Sequence, residues 1–536
     1  MNTQSSYPPI LLLPGELRNQ IYREYLFAGT EDGYVYDFEA GKLRTANNQP
    51  IELNLMYTCK LIAREMQGLA LCLHTVTFST LYSTNLRTRA ARWAYFVSRF
   101  GRNVNWRTVG QLVAPEVIRE VAGARSFVHA ISQYHQAEDY LSFDWDGWDQ
   151  VPSVQRSLQA QLIAKAVTEP ACRTDISAPP KVENFEYLWD EVELRGGLAA
   201  FLDVIREPWS IPTEDELDTI GARLPTRKQK APAALRNMWQ DHPGRFRFSA
   251  AAAAIHFLSS LPAATRKYMR TIRLCEDRVS VAHPECHIRG LVPYCLENPA
   301  LRIERRADLW NNLFQTNAWG QVSGQFHDPF ESGDPFEFGL IRWSDIAEDD
   351  ALPADHATRP VALWMAEASH PEIPDSISLV LDGDPTPERS AEVFHEAIQR
   401  DAAWQIAKER RFNDPENAFL MRMRTAEACW HAVRFPQLLA NINKPTSRIK
   451  CNFDPGQPWC EDQITEVIRT NKIAEDNLEP SSYDGRVPDL VTAWEWRRGL
   501  RFATASPLPS FWSLVEENMD PGYEERKWLP PWEVGR

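Results

Sequence analysis

The chain has 536 residues, 43% of them hydrophobic and 24% charged, with a formal net charge of −15, which is globular rather than disordered composition. A length of this order suggests roughly two to four domains, and the acidic balance lacks the basic footprint of a general nucleic-acid binder. No apolar run approaches the roughly 18 residues a membrane-spanning helix needs, so no membrane partner is expected.

The opening MNTQSSYPPILLL has no basic n-region, and Pro14 stops its apolar run, so no secretory signal is expected. In LLLPGELRNQIYREYLF, Pro14 can open a helix at no cost in hydrogen bonds. Glu16 complements its positive end. Leu17, Ile21, Tyr25 and Leu26 give one apolar stripe. YVYDFEAGKLRTA, residues 34–46, alternates about a turn at Ala40-Gly41 and reads as a hairpin. A second helix is expected from Asn54, with Leu55, Cys59, Ile62, Met66, Leu69 and Leu73 on one face. HTVTFST at 74–80 reads as a strand, and NLRTRAARWAYFVSRF as a third, locally basic helix.

Residues 101–235 read as a helical segment with polar loops, ending in the basic, proline-containing break LPTRKQKAPAA. From 236 to 536 a mixed α/β body is expected. Ser249 should cap the alanine-rich helix of FSAAAAAIHFLSSLP. YMRTIRL, LRIERRADLW and SISLVLDG read as strands, IRGLVPYCLENP as a short helix, and a long helix starts near Pro387. This alternation is solenoid-like, without a repeat of fixed period. The last 45 residues hold five tryptophans and should dock on the body. The expected class is α+β: a helical module at 10–100, then a larger, mostly helical α/β body.

LPGELRNQIYREYL followed by NLMYTCKLIAREM resembles the F-box-like domain of proteins from filamentous fungi. The residues that carry the likeness are Leu13, Pro14, Glu16, Leu17, Arg18, Ile21 and Tyr22, then Leu55, Cys59, Ile62 and Glu65, ending at Val76 and Phe78. About 70 residues are covered, the first half more specifically than the second. The block from SAAAAAIHF to LRIERR also resembles one that accompanies this domain, with no known function. The resemblance implies docking to the Skp adaptor of cullin-type ubiquitin ligases, with the rest of the chain choosing a protein substrate. It places Leu13, Pro14, Leu17, Ile21, Leu26, Leu55, Cys59 and Ile62 at the partner-binding face. Ordinary F-boxes join their first two helices by a short turn, whereas here a hairpin intervenes.

Motifs for chemistry are sparse. His283, Cys286, His287 and Cys295 are zinc-ligand types, but their spacing is not a standard one, and neighbours on a strand point apart. VFHEAIQ places Gln399 where a metalloprotease helix needs its second histidine. No Gly-x-Ser-x-Gly elbow or phosphate loop is present. The repeated Asp-Pro-Phe-Glu of residues 327–339 reads as two turns, and Arg227, Lys228 and Lys230 as a solvated loop. Nine scattered cysteines with no Cys-x-x-Cys pair suggest free thiols, hence cytoplasm or nucleus. The expectation is a non-enzymatic interaction protein with no cofactor or metal. The alternatives are a ligase substrate receptor, or an enzyme with an unrecognised site in 236–430.

Overall fold

A computed structural model describes residues 8–28, 33–103, 151–169, 207–223, 244–316, 350–412, 434–460 and 500–520, with positions 113, 114, 117, 432, 462 and 464. The break at 224–234 with its basic cluster, the repeat at 327–339, and Trp494, Trp496, Trp528 and Trp532 lie outside the described residues.

The chain opens with a 3-10 turn (Pro9–Leu12) and helix α1 (Gly15–Phe27), whose N-cap is Pro14. The hairpin follows as β1 (Tyr34–Asp37) and β2 (Lys42–Thr45). The expected second helix is three short pieces: a 3-10 turn (Asn54–Tyr57), α2 (Lys60–Glu65) and α3 (Leu69–Leu73). Two residues cut it. Cys59 is extended and caps α2 through its sulfur, which accepts from the Ile62 N–H. Gly68 has φ of 71°, and a Cβ there would fall within 2.4 Å of the Tyr268 ring. Strand β3 (Thr75–Ser79) and α4 (Thr84–Asn103) complete this part.

Helices α5 (Pro152–Thr168) and α6 (Glu214–Arg223) come next. Arg92 on α4, 1% exposed, reaches Glu214 and Asp218 on α6 and so joins the two helices. Then come α7 (Ala250–Ser260), β4 (Thr271–Glu276), α8 (Val292–Glu297) and β5 (Arg302–Asp308). They are followed by β6 (Leu352–Pro353), α9 (Ala354–Ser369) and β7 (Ile377–Asp382). The long helix near Pro387 is α10 (Pro387–Val393), a π-turn (Phe394–Gln399) and α11 (Arg400–Phe412). After α12 (Phe435–Ala440) and β8 (Ile449–Cys451), β9 (Arg501–Phe502) pairs with β6, and α13 (Phe511–Glu516) closes the described chain.

Seven strands form one sheet in the order β2-β1-β3-β4-β5-β7-β8, parallel throughout except for the hairpin. From β3 onward each new strand of this sheet joins on the same side of the last, so its parallel part is wound in one direction. Register puts Ile272, Ile303 and Ile377 in one buried row, and Leu274, Leu379 and Ile449 in the next. Helix α7 packs on the first of these rows and on Leu274, and α9 on Leu379 and Ile449. Arg273, Glu304 and Ser378 lie on the opposite face, which is less buried and polar.

The fold is therefore a mixed α/β structure, with helices alternating between parallel strands instead of segregating as α+β implies. The sheet also crosses residue 100: β1, β2 and β3 belong to it and not to a separate helical module. The helices between residues 9 and 73 keep a small interior of their own, made of Tyr22, Leu26, Ile62 and Met66.

Alanine fills the start of α7 because the helix packs between the sheet and the 3-10 segment Pro284–Leu291, and Ala250 to Ala254 are each at most 1% exposed. Ser249 caps it as expected, accepting from the Ala252 N–H at 3.0 Å. A second acceptor comes from β4: Glu276, fully buried, takes the Ala250 and Ala251 N–H groups at 3.0 and 3.3 Å. Arg305 donates to the same carboxylate at 2.9 and 2.7 Å, and its guanidinium stacks 3.9 Å from the Trp364 ring. One buried ion pair thus ties β4, β5, α7 and α9 together. Residues 500–520 of the C-terminal segment dock on the body, with Phe502, Phe511, Leu514 and Val515 in the core beside Trp310 and Phe394.

Candidate docking surface and the carboxyl edge of the sheet

The motif residues at the N-terminus divide into a lock and an exposed face. Arg18 on α1 donates through Nε to Glu65 on α2 at 2.9 Å, with a second bond from its terminal nitrogen. The Tyr22 hydroxyl donates to the same carboxylate at 2.8 Å. Arg18 holds Glu65 below the usual carboxylate range against the opposing effect of burial, and Tyr22 adds to it. Burial, with the Glu65 bond, pushes Tyr22 up to about 12. The spacing of four between Arg18 and Tyr22 sets both on the side of α1 that meets α2.

This lock turns Leu17 and Ile21 of the apolar stripe outward. Leu26 and Ile62, expected at the partner face, are 3% exposed and form the small core with Tyr22 and Met66, so they support the fold instead of meeting a partner. Leu55 and Cys59 are half-buried against that core, Leu13 is half-buried, and Pro14 is exposed. Leu17 and Ile21, one turn apart on α1, stay 47% and 38% exposed. Leu61 on α2 is 44% exposed, Leu12 65% and Tyr57 81%. With Phe27 at the end of α1, also 44% exposed, these make six; single exposed apolar residues are ordinary, but six on one small helical unit are a candidate contact surface. Among these, Leu12, Phe27, Tyr57 and Leu61 are not among the residues expected at the partner face. Leu12 and Phe27 flank the first motif segment, and Tyr57 and Leu61 lie within the second.

The zinc-ligand types serve other purposes. His287 is 1% exposed; its Nε2–H donates to the Ala282 carbonyl and its Nδ1 accepts from the Ser249 hydroxyl, both at 2.7 Å. Burial pulls this imidazole down to about 3, so it is neutral and fully engaged. The Cys286 thiol donates to the His283 carbonyl at 3.2 Å, and burial pushes it up to about 12. Cys295 lies in the core on the other side of that turn, among Ile288, Leu291 and Ile303. Among the described residues, no group of three or more histidine, cysteine or acidic side chains is placed to hold a metal ion. At His395, the π-turn leaves a backbone carbonyl that accepts the Trp459 indole N–H at 2.7 Å, while Gln399 donates to the Pro455 carbonyl.

Polar groups gather where the parallel strands end. Asp277 accepts from the Thr80 hydroxyl at 2.7 Å, and Asp308 accepts from the Asn311 backbone and side chain at 2.8 and 2.9 Å. Asp382, in register with Asp308, accepts from Arg306 at 3.0 Å and from Asn452 at 2.6 Å. Burial pushes Asp308 up to about 6; the Asn311 bonds oppose this and the Asp382 charge adds to it. The raised value means the folded state holds this proton more tightly than the unfolded chain. The stability it contributes is present below about pH 4 and is lost as pH rises through about 6. In a carboxyl-carbon NMR titration, Asp308 should show a midpoint near 6 that falls in Asp382→Asn. A midpoint near the ordinary carboxylate value would contradict the burial described.

Comparison with family models, with curated proteins and with solved structures finds no match to this chain. Among the described residues, no helix is long and apolar enough to cross a membrane.

Proposed function

We propose that this protein acts without catalysis, as an interaction protein that docks a partner through its N-terminal helices and carries the sheet body as a second, larger platform. The observation that supports this most is the exposure of Leu17 and Ile21. Both sit inside the F-box-like motif, yet the core beneath them is complete without them. Apolar side chains on a helix that is already packed lose nothing in the free protein by being covered later, and gain when water leaves them.

A finer form of the proposal makes the partner the Skp adaptor of a cullin-type ligase, and the chain a substrate receptor. Its support is the residue-by-residue likeness at Leu13, Pro14, Leu17 and Ile21. The hairpin between α1 and α2 does not stand against it, because β1 and β2 leave for the sheet while Arg18 and Glu65 hold the two helices together. The enzyme alternative gains little from the Ser249–His287 contact, since Ser249 is fully buried and occupied in capping α7.

Titration calorimetry of the intact chain with purified Skp adaptor separates these forms. The adaptor reading expects a 1:1 complex of roughly micromolar affinity or better, weakened about tenfold or more by Leu17→Asp. A folded wild-type chain that takes up no adaptor removes the ligase reading and leaves docking to a different protein.

A further inference from the structure

The direction of winding decides what lies on each face of the sheet. A right-handed crossover between neighbouring parallel strands places its helix on one face, and when every step runs the same way every crossover falls on that face. From β3 to β8 every step does run the same way. Residues of α7, α8, α9, α10 and α12 accordingly share the buried clusters of the apolar rows. The opposite face receives none of these crossovers, whereas parallel sheets ordinarily carry helices on both.

That face is polar, and its charges are layered. Within the seven strands the exposed residues are Lys42, Arg273, Arg302 and Lys450, all basic, and register puts all four on this side. Its carboxylates sit lower, half-buried and held by neighbours. Asp37 accepts from Arg44 at 2.6 Å, and Glu304 lies 3.5 and 3.6 Å from Arg273 and Arg306. Asp382 accepts from Arg306 and Asn452, and Asp308 from Asn311. Arg302, by contrast, donates to the backbone carbonyls of Pro299 and Leu301. Thr75, Thr77, Thr271, Cys275 and Ser378 fill the spaces between with short, half-buried side chains. A second protein laid on this side therefore meets basic groups first, in a chain whose net charge is −15.

We propose, resting on the reading of this chain as an interaction protein, that the polar face of the sheet docks an acidic segment of a partner protein, laid across the strands so that its carboxylates meet Arg273, Arg302 and Lys450. Arg273 on β4 and Lys450 on β8 stand three strand spacings apart, roughly 15 Å. An extended segment covers that distance in about four or five residues, so carboxylates at that spacing reach both. Forked guanidinium donors suit carboxylates, and the exposed cations steer an acidic partner in while turning a basic one away. A nucleic acid would meet the same groups, but the acidic balance of the whole chain opposes it.

The test is selection from a library of random short peptides displayed on phage, at physiological salt, with the intact wild-type chain and the double variant Arg273→Glu with Lys450→Glu as separate baits. Both substituted side chains are exposed, so the variant should melt close to wild type. Among peptides that wild type enriches and the double variant does not, acidic residues should predominate. Synthesised and titrated by fluorescence anisotropy, these peptides should bind wild type saturably and the double variant about tenfold or more weakly. Lys60→Glu, an exposed cation on α2, and Ile21→Asp should bind them as wild type does. Failure of Ile21→Asp to lose any partner would bear on the N-terminal face alone and leave this result standing. No peptide distinguishing the two baits, distinguishing peptides that are neutral or basic, or equal weakening by Lys60→Glu overturns the proposal. A random-sequence RNA oligonucleotide that binds wild type more tightly than these peptides and is lost from the double variant also overturns it, and assigns the face to nucleic acid.

Discussion

Glu276→Ala should destabilise the fold by about 3–5 kcal/mol, the cost of leaving one partner of a buried ion pair alone. The Glu276 carboxylate is fully buried and accepts from Ala250, Ala251 and Arg305 together. Its removal strands the Arg305 guanidinium under Trp364 and opens two N–H groups at the start of α7. Urea denaturation followed by tryptophan fluorescence would read the change as a lower midpoint. The double variant Glu276→Leu with Arg305→Met should lose markedly less than the single one, because a well-packed apolar pair can replace a buried ion pair. A single variant within about 1 kcal/mol of wild type would show that the pair is not the tie between β4, β5 and α7.

The second large effect separates two isoleucines. Ile62→Asp places a carboxylate in the small core with Tyr22, Leu26 and Met66, at a cost of several kcal/mol. That core is distinct from the two clusters on the sheet. The damage should therefore stay local: amide hydrogen exchange should quicken through α1, α2 and α3 while β4 and β5 keep their protection. Ile21→Asp, on a side chain 38% exposed, should leave exchange in both regions close to wild type. Loss of protection in β4 and β5 with Ile62→Asp would mean the helices at 9–73 and the sheet unfold as one unit.

Much of the fold could be read from the chain because local signals were strong. Ser249 before five alanines, the alternation of SISLVLDG and the turn at Ala40-Gly41 each fixed an element where the structure has it. The way those strands assemble was harder to see. Ile272, Ile303 and Ile377 occupy one row, and Asp277, Asp308, Asp382 and Asn452 end their strands at equivalent positions. The insertions between them differ so widely that no fixed period survives. Glu276 and Arg305 further disguise the pattern, since each is a charge at a position where the row calls for an apolar residue. Their mutual pairing makes that tolerable, and pairing across 29 residues leaves no local signature.

At the N-terminus the apolar spacing located α1 but not its buried side. Leu17, Ile21 and Leu26 read as one stripe, whereas the structure buries Leu26 and leaves the other two outside. The deciding residue is Tyr22, whose ring is buried while its hydroxyl is held by Glu65. Periodicity counts apolar residues and gives a tyrosine with a remote partner too little weight. The same limit applies to Cys59 and Gly68, which break the expected second helix through a sulfur cap and a left-handed turn that helical spacing alone does not reveal.

Whether Leu17 and Ile21 form a face kept free for a partner is decided by capture of partners with the intact chain. Wild type and Ile21→Asp would be used as bait side by side, with mass spectrometry of what each retains and melting temperatures taken on the same preparations. At least one protein should be held reproducibly by wild type and lost from Ile21→Asp, while the two baits melt within about 1 °C of each other, as a surface substitution should. An Ile21→Asp chain that melts many degrees lower, or one that retains every partner of the wild type, would contradict it.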